Sequence, residues 1–138
     1  MLMNNLSIII RHCRTFCERK LRELDIGFSE QVILMYLSEN KNVSQDDIVK
    51  HFMIDKGAIA KSLSKLEAKD YIIRNENPLD KREKLILLSS KSEQIFDYMK
   101  LILEEWNQYF FRGLSSEEIE QFVRILGTMA DNVSQIPE

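Results

Sequence analysis

The stretch YIIRNENPLDKREKLILL, residues 71–88, decides the fold. Its ends, YIIR (71–74) and LILL (85–88), are short, apolar and rich in Ile and Leu, without helical spacing. They predict a pair of strands. Between them, NENPLDKREK (75–84) carries Pro78, Asn75 and Asn77, together with the charged residues Glu76, Asp80, Lys81, Arg82, Glu83 and Lys84. Reversing the chain needs only about two residues. The longer segment therefore predicts a loop that projects charge into solvent, and the question is what it meets.

The residues upstream give that loop a context. SQDD (44–47) reads as a helix N-cap at Ser44 followed by acidic residues in the first turn, where the helix dipole favours them. The short helix after it turns Ile48 and Phe52 inward. Met53-Ile54-Asp55 is a brief connection, and Asp55 caps a second helix over 56–69. Two short helices with a tight link form a helix-turn-helix. Followed at once by a hairpin, it becomes a winged helix, with the charged hairpin loop as its wing. The remaining segments read as helices. Residues 5–24 carry an apolar stripe that includes Cys13 and Cys17, and Ser29 is the expected cap of a core helix over 30–39. A long helix starts at Ser89 or Ser90, and Ser115 with Glu118 forms a capping box for the last one. The expected fold is mainly α with a small β-hairpin: one domain over 1–138, with a winged helix-turn-helix at 28–89 between dimerisation helices at 1–27 and 90–138.

On helix 56–69, Ile59, Leu63 and Leu66 share the buried face. The opposite face holds Gly57, Lys61, Ser64 and Lys65, with Ala58 at its edge. It is shallow, basic and free of acids. Small residues let a helix end approach base edges, and Lys and Ser donate to bases or phosphates. From this face alone, a solvated surface with routine lysines reads equally well.

Charge supports a local anion partner. The chain carries net charge −3, yet residues 43–91 hold ten Lys and Arg against eight Asp and Glu. From residue 92 onward there are three basic residues against nine acidic ones. With 44% hydrophobic and 30% charged residues, the chain reads as globular. No apolar run is long enough to span a bilayer, and the start lacks a signal peptide's pattern, so a cytoplasmic protein without membrane association is expected.

VSQDDIVKHFMIDKGAIAKSLSKLEAKDYIIRNENPLDKREKLILLS, residues 43–89, resembles the multiple-antibiotic-resistance regulator (MarR) family of bacterial transcription factors. The similarity lies in the capped helix, the Asp-Lys-small start of the recognition helix, the Leu-Glu near its end and the Asp-x-Arg wing. It extends as pattern through the flanking helices. The resemblance implies that Arg82 enters the minor groove and that Asp80 orients it. It implies that Gly57, Ala58, Ala60 and Lys61 face bases in the major groove, and Lys56, Ser64 and Lys65 on the same helix are further DNA-binding candidates. Ser44 and Gln45 would touch the backbone at a helix start, and Lys81 and Lys84 would contact phosphates. The implied partners are double-stranded DNA and a second copy of the chain, and the implied role is a regulator, a repressor in the first instance. Two departures stand out. The family often has Gly where Asp70 stands, and often Thr-x-x-Gly where residues 89–92 read SSKS.

The family also implies a pocket for a small aromatic or lipophilic effector, for which Arg11, Arg14, Tyr36 and His51 are the candidates. Cys13 and Cys17 read either as small core residues or as a thiol-based redox sensor whose pKa Arg11, Arg14 and Arg19 would lower. His12 beside these cysteines lacks further ligands at zinc spacing, so no metal site and no cofactor is expected. Catalytic motifs are absent, and an enzyme is not expected. A winged helix that docks a protein instead of DNA is the rival function.

Overall fold

The structure, a computed structural model, describes residues 1–137. Its helices are α1 (Leu2–Leu21), α2 (Phe28–Glu39), α3 (Gln45–Phe52), α4 (Lys56–Ala68), α5 (Ser90–Phe110) and α6 (Ser116–Ser134). Its strands are β1 (Val43–Ser44), β2 (Ile72–Asn77) and β3 (Asp80–Leu88). The chain packs as two units, Met1–Leu103 and Glu104–Glu138. The first holds the helix-turn-helix, the sheet and the buried core.

The helix ends follow from local chemistry. Ser44 Oγ accepts from the Asp47 N–H at 3.1 Å, while Asp47 accepts from the Ser44 N–H at 2.9 Å, which closes a capping box at the start of α3. Asp55 accepts from the Ala58 N–H at 3.2 Å and starts α4. A Cβ at position 57 would stand 3.0 Å from that Asp55 carboxylate, so Gly57 leaves the cap unobstructed. Ser115 and Glu118 close the second box at 3.0 and 3.1 Å. The cap of α2 lies two residues before the expected Ser29. Its Glu30 reaches back to accept from the Gly27 N–H at 3.4 Å, so the helix already begins at Phe28.

The core of the first unit gathers Leu34 from α2, Ile48 from α3, Leu63 and Leu66 from α4, Ile72 and Ile86 from the sheet and Met99 from α5. Each such side chain contributes about 1.5–3 kcal/mol on burial. Ile59, Leu63 and Leu66 all lie inside, so α4 is rotated as its spacing predicts. In the second unit α6 buries no residue at all, although Val123, Leu126, Met129 and Val133 line it.

Residues 75–84 correct the expectation of a free loop. Asn75 pairs with Leu85 and Glu76 with Lys84, so the two strands continue through the charged segment. Only Pro78 and Leu79 stand between them, and Asn77 Oδ1 accepts from the Leu79 N–H at 3.0 Å to shape that turn. Backbone groups in a long loop would need water or side chains as partners; the ladder supplies them directly, and its charged side chains still reach solvent. Between Glu76 and Asn77 the register jumps from Lys84 to Asp80, so Lys81, Arg82 and Glu83 bulge from the ladder. The sheet also has a third strand. Val43 pairs with Ile86 and Ser44 with Leu85, giving the order β1-β3-β2.

Candidate nucleic-acid interface

Two surfaces of the winged helix carry the chemistry. The first is the outward face of α4, where Gly57, Ala58, Lys61, Ser64 and Lys65 are exposed. Ala60 is half-buried and lies at the margin of that face. Lys56 is exposed and stands 4.0 Å from Asp46, a pair in full solvent that holds the lysine only weakly.

The second surface is the wing. Asp80 Oδ1 accepts from the Arg82 backbone N–H at 3.0 Å and from Arg82 Nε at 3.3 Å. The Arg82 side chain is 93% exposed beyond that contact. The guanidinium is therefore aimed by the carboxylate and left open on its other edges. Lys81 and Lys84 are exposed beside it. Between the wing and the N-termini of α3 and α4 runs an open cleft of about 490 Å³, lined by Gln45, by the basic Lys56, Arg74, Arg82 and Lys84 and by the acidic Asp46, Asp80 and Glu83.

Arg74 went unread in the sequence, where it looks like the end of an apolar strand. Here it bridges three elements. Its Nη1 donates to Gln45 Oε1 at 3.1 Å, and its Nε stands 3.1 Å from the Glu67 carboxylate as an ion pair without hydrogen-bond alignment. It thereby fastens the wing root to the start of α3 and to the recognition helix. Gln45 reaches the cleft with its carbonyl already engaged. Ser44 corrects the expectation of a backbone contact. It is 1% exposed, its hydroxyl caps α3 and its backbone pairs with Leu85, so nothing of it is offered to a ligand.

The four candidate effector residues are not brought together. Arg14 lies over the Phe28 ring at 5.3 Å and borders a small apolar cavity of about 150 Å³ with Val32, Phe52 and Ile59. Tyr36 and His51 stack on each other at 4.2 Å outside that lining. Arg11 instead donates to Ser7 on the exposed side of α1 at 3.3 Å.

The neighbouring arginines do not activate the thiols. Burial pushes Cys13 up, and burial together with the Cys13 side chain pushes Cys17 up to about 12. Cys17 is fully buried. Both are therefore poor nucleophiles at neutral pH. Among the described residues, no three His, Cys, Asp or Glu side chains gather as metal ligands, and no helix is long and apolar enough to cross a membrane.

A capped two-helix turn, a recognition helix with a basic outer face and a bulged hairpin on a three-stranded sheet define a winged helix-turn-helix protein. Residues 24–83 match the MarR family. The HTH-type transcriptional regulator BilQ of Clostridioides difficile (strain CD3) is 26% identical over 128 residues, which cover 93% of this chain and 86% of that protein. A crystal structure of MarR superposes with a TM-score of 0.84 at 27% identity, covering 98% of both chains. MepR of S. aureus, solved as a DNA complex, superposes with a TM-score of 0.83 at 25% identity, covering 96% of this chain and 98% of that one. Over residues 24–83 the chain is thus similar to the MarR family, and its relative BilQ is a transcriptional regulator.

Proposed function

We propose that this protein is a homodimeric transcriptional repressor that binds a pseudo-palindromic duplex. The observation that carries the reading is the wing: an exposed Arg82 aimed by Asp80, across a cleft from the basic end of α4. Gly57, Ala58 and Lys61 enter the major groove, with Lys56, Ala60, Ser64 and Lys65 along the same helix. Arg82 enters the minor groove, and Lys81 and Lys84 contact phosphates. Gln45 borders the backbone through its amide nitrogen.

Support for two copies comes from unpartnered apolar surface. Leu2, Met3 and Ile10 on α1 are exposed, as are Val123, Leu126 and Met129 on α6, and faces of that size are usually covered by a partner. A two-fold dimer reads half-sites about 34 Å apart. The cavity beside Arg14 and Phe28 accommodates a small apolar or aromatic effector whose binding releases the duplex.

The test is selection of duplexes from a random pool, followed by affinity of the selected site at several salt concentrations. An inverted repeat is expected, with affinity falling steeply as salt rises. Arg82→Ala should weaken binding at least tenfold and reduce the salt slope by up to about 1.8, two arginines per dimer at about 0.9 each, with the melting temperature unchanged. Unchanged affinity in that variant overturns the wing assignment. Failure to select any duplex overturns the reading in favour of a protein-docking winged helix.

A further inference from the structure

The two ends of α4 are held very differently. At the N-terminal end, the Asp55 cap and the Lys56–Asp46 pair both lie in solvent, the latter with side chains 73% and 61% exposed. At the C-terminal end, Lys69 Nζ donates to both carboxylate oxygens of Glu30, at 2.9 and 3.2 Å, and to the backbone carbonyl of Asp25. The Glu30 side chain is 9% exposed and that of Lys69 22%. The same carboxylate accepts from the Gly27 N–H and so closes the start of α2. Asp25 is the left-handed residue, φ 52, that ends the turn after α1. One ammonium therefore fastens the corner between α1 and α2 to the recognition helix. From the other side, Lys91 Nζ donates to the Lys69 carbonyl at 2.7 Å, and the Ser89 hydroxyl donates to the Asp70 carbonyl.

We infer that Lys69 is a positioning residue for operator selection: by clamping the far end of α4 to the α1–α2 corner it fixes how far apart the two half-sites must lie. The inference rests on the operator-binding reading above. The lever arm gives its size. The 13 residues of α4 span about 20 Å at about 1.5 Å each. A rotation of about 5° at the clamped end moves the N-terminus by about 1.7 Å. Two symmetric heads double that to about 3.4 Å, one base-pair step. A clamp that holds α4 within a few degrees thus confines the dimer to a single spacing, and release of the clamp admits the neighbours.

The experiment measures affinity for a set of inverted repeats whose central spacer differs by one base pair at a time, for the wild type, Lys69→Met and Lys69→Arg. The wild type is expected to favour one spacing at least tenfold over its neighbours. Lys69→Met should bind the neighbouring spacings within about threefold of the best one, and Lys69→Arg should restore the preference. A variant that is only less stable would lose affinity equally at every spacing, so an unaltered preference in Lys69→Met overturns the clamp. Should that variant fail to fold because Glu30 is left buried and unpaired, the pair Lys69→Met with Glu30→Leu removes both charges and faces the same criterion. A wild type with no spacing preference also overturns the clamp while leaving operator binding intact. A wild type that binds no duplex overturns the operator-binding reading itself.

Discussion

Asp80 offers a test in which two effects oppose each other and the sign of the outcome decides. On the operator-binding proposal the carboxylate sits at the edge of a surface that meets a polyanion, so its removal should relieve repulsion. It also accepts from the Arg82 backbone N–H at 3.0 Å and holds the Arg82 side chain through Nε at 3.3 Å. An exposed pair of this kind is worth about 0.2–1 kcal/mol, and that much ordering of a long side chain is completed before DNA arrives. Losing it should weaken binding about 1.5- to 5-fold. The opposing term is smaller. A phosphate about 10 Å away repels the carboxylate by about 0.4 kcal/mol in water, and salt at about 0.15 M cuts this to about 0.1–0.2 kcal/mol. Subtraction leaves about 0–0.9 kcal/mol in favour of orientation at physiological salt, so Asp80→Ala should bind the selected site more weakly, by up to about fivefold. The deficit should shrink at about 0.01 M salt, where the repulsion reaches further. Asp80→Asn keeps an acceptor oxygen and should fall between the two. Fluorescence anisotropy with a labelled duplex at both salt concentrations measures all three proteins. If Asp80→Ala binds more tightly than wild type at physiological salt while Arg82→Ala binds weakly, Asp80 is only a repulsive charge and the aiming argument fails.

Asp70 adopts φ 64 just past the end of α4, where the Tyr71 N–H bonds to the Leu66 carbonyl at 2.9 Å, a position that favours glycine. Asp70→Gly should stabilise the protein by about 0.5–1 kcal/mol and raise its melting temperature by about 2–5 °C; a lower value by circular dichroism would show that the aspartate is not strained. Because burial raises both thiols, Cys17 to about 12, iodoacetamide should label the native protein far more slowly than the denatured one at pH 7.5, the rate climbing as pH approaches that range. Rapid native labelling, followed by mass spectrometry, would revive a thiol sensor. Leu126 and Met129 are 46% and 48% exposed, and glutamate at both should convert a dimer into a particle of 16.3 kDa by light scattering. Persistence of the dimer would move the interface off α6.

The parts of the molecule legible in the sequence are those whose physics is local. The cap at Ser44, the capping box at Ser115 and the buried face of α4 depend on residues three or four apart, and the spacing displays them. The Asp80–Arg82 contact is local too, two residues apart, though it is the family resemblance that points to it. What stayed hidden depends on distant partners. β1 is two residues long and has no period to read; it exists because residues 85 and 86 come to lie beside it. Arg74 looks like the polar end of a strand until Gln45 and Glu67 converge on it. Lys69 is one more lysine near a helix end until Glu30 arrives from another helix. The candidate effector residues share no single cavity within one chain for the same reason. Tyr36 and His51 meet each other across two helices, and no spacing rule announces which cavity a side chain will border.

The two rungs between β1 and β3 have a consequence for how the chain acquires its shape. Val43 meets Ile86, so these rungs close a ring of about forty residues around the whole helix-turn-helix, at an entropic cost of about 3 kcal/mol. The β2–β3 ribbon is local and can zip within microseconds, whereas the ring closes only as α3 and α4 fold inside it. Ser44 belongs to that closure and also caps α3, so the last rungs and the first turn of α3 become ordered in one event. A partly folded chain then has a ribbon but no fixed recognition helix beside it, and the reading surface emerges in a single cooperative step.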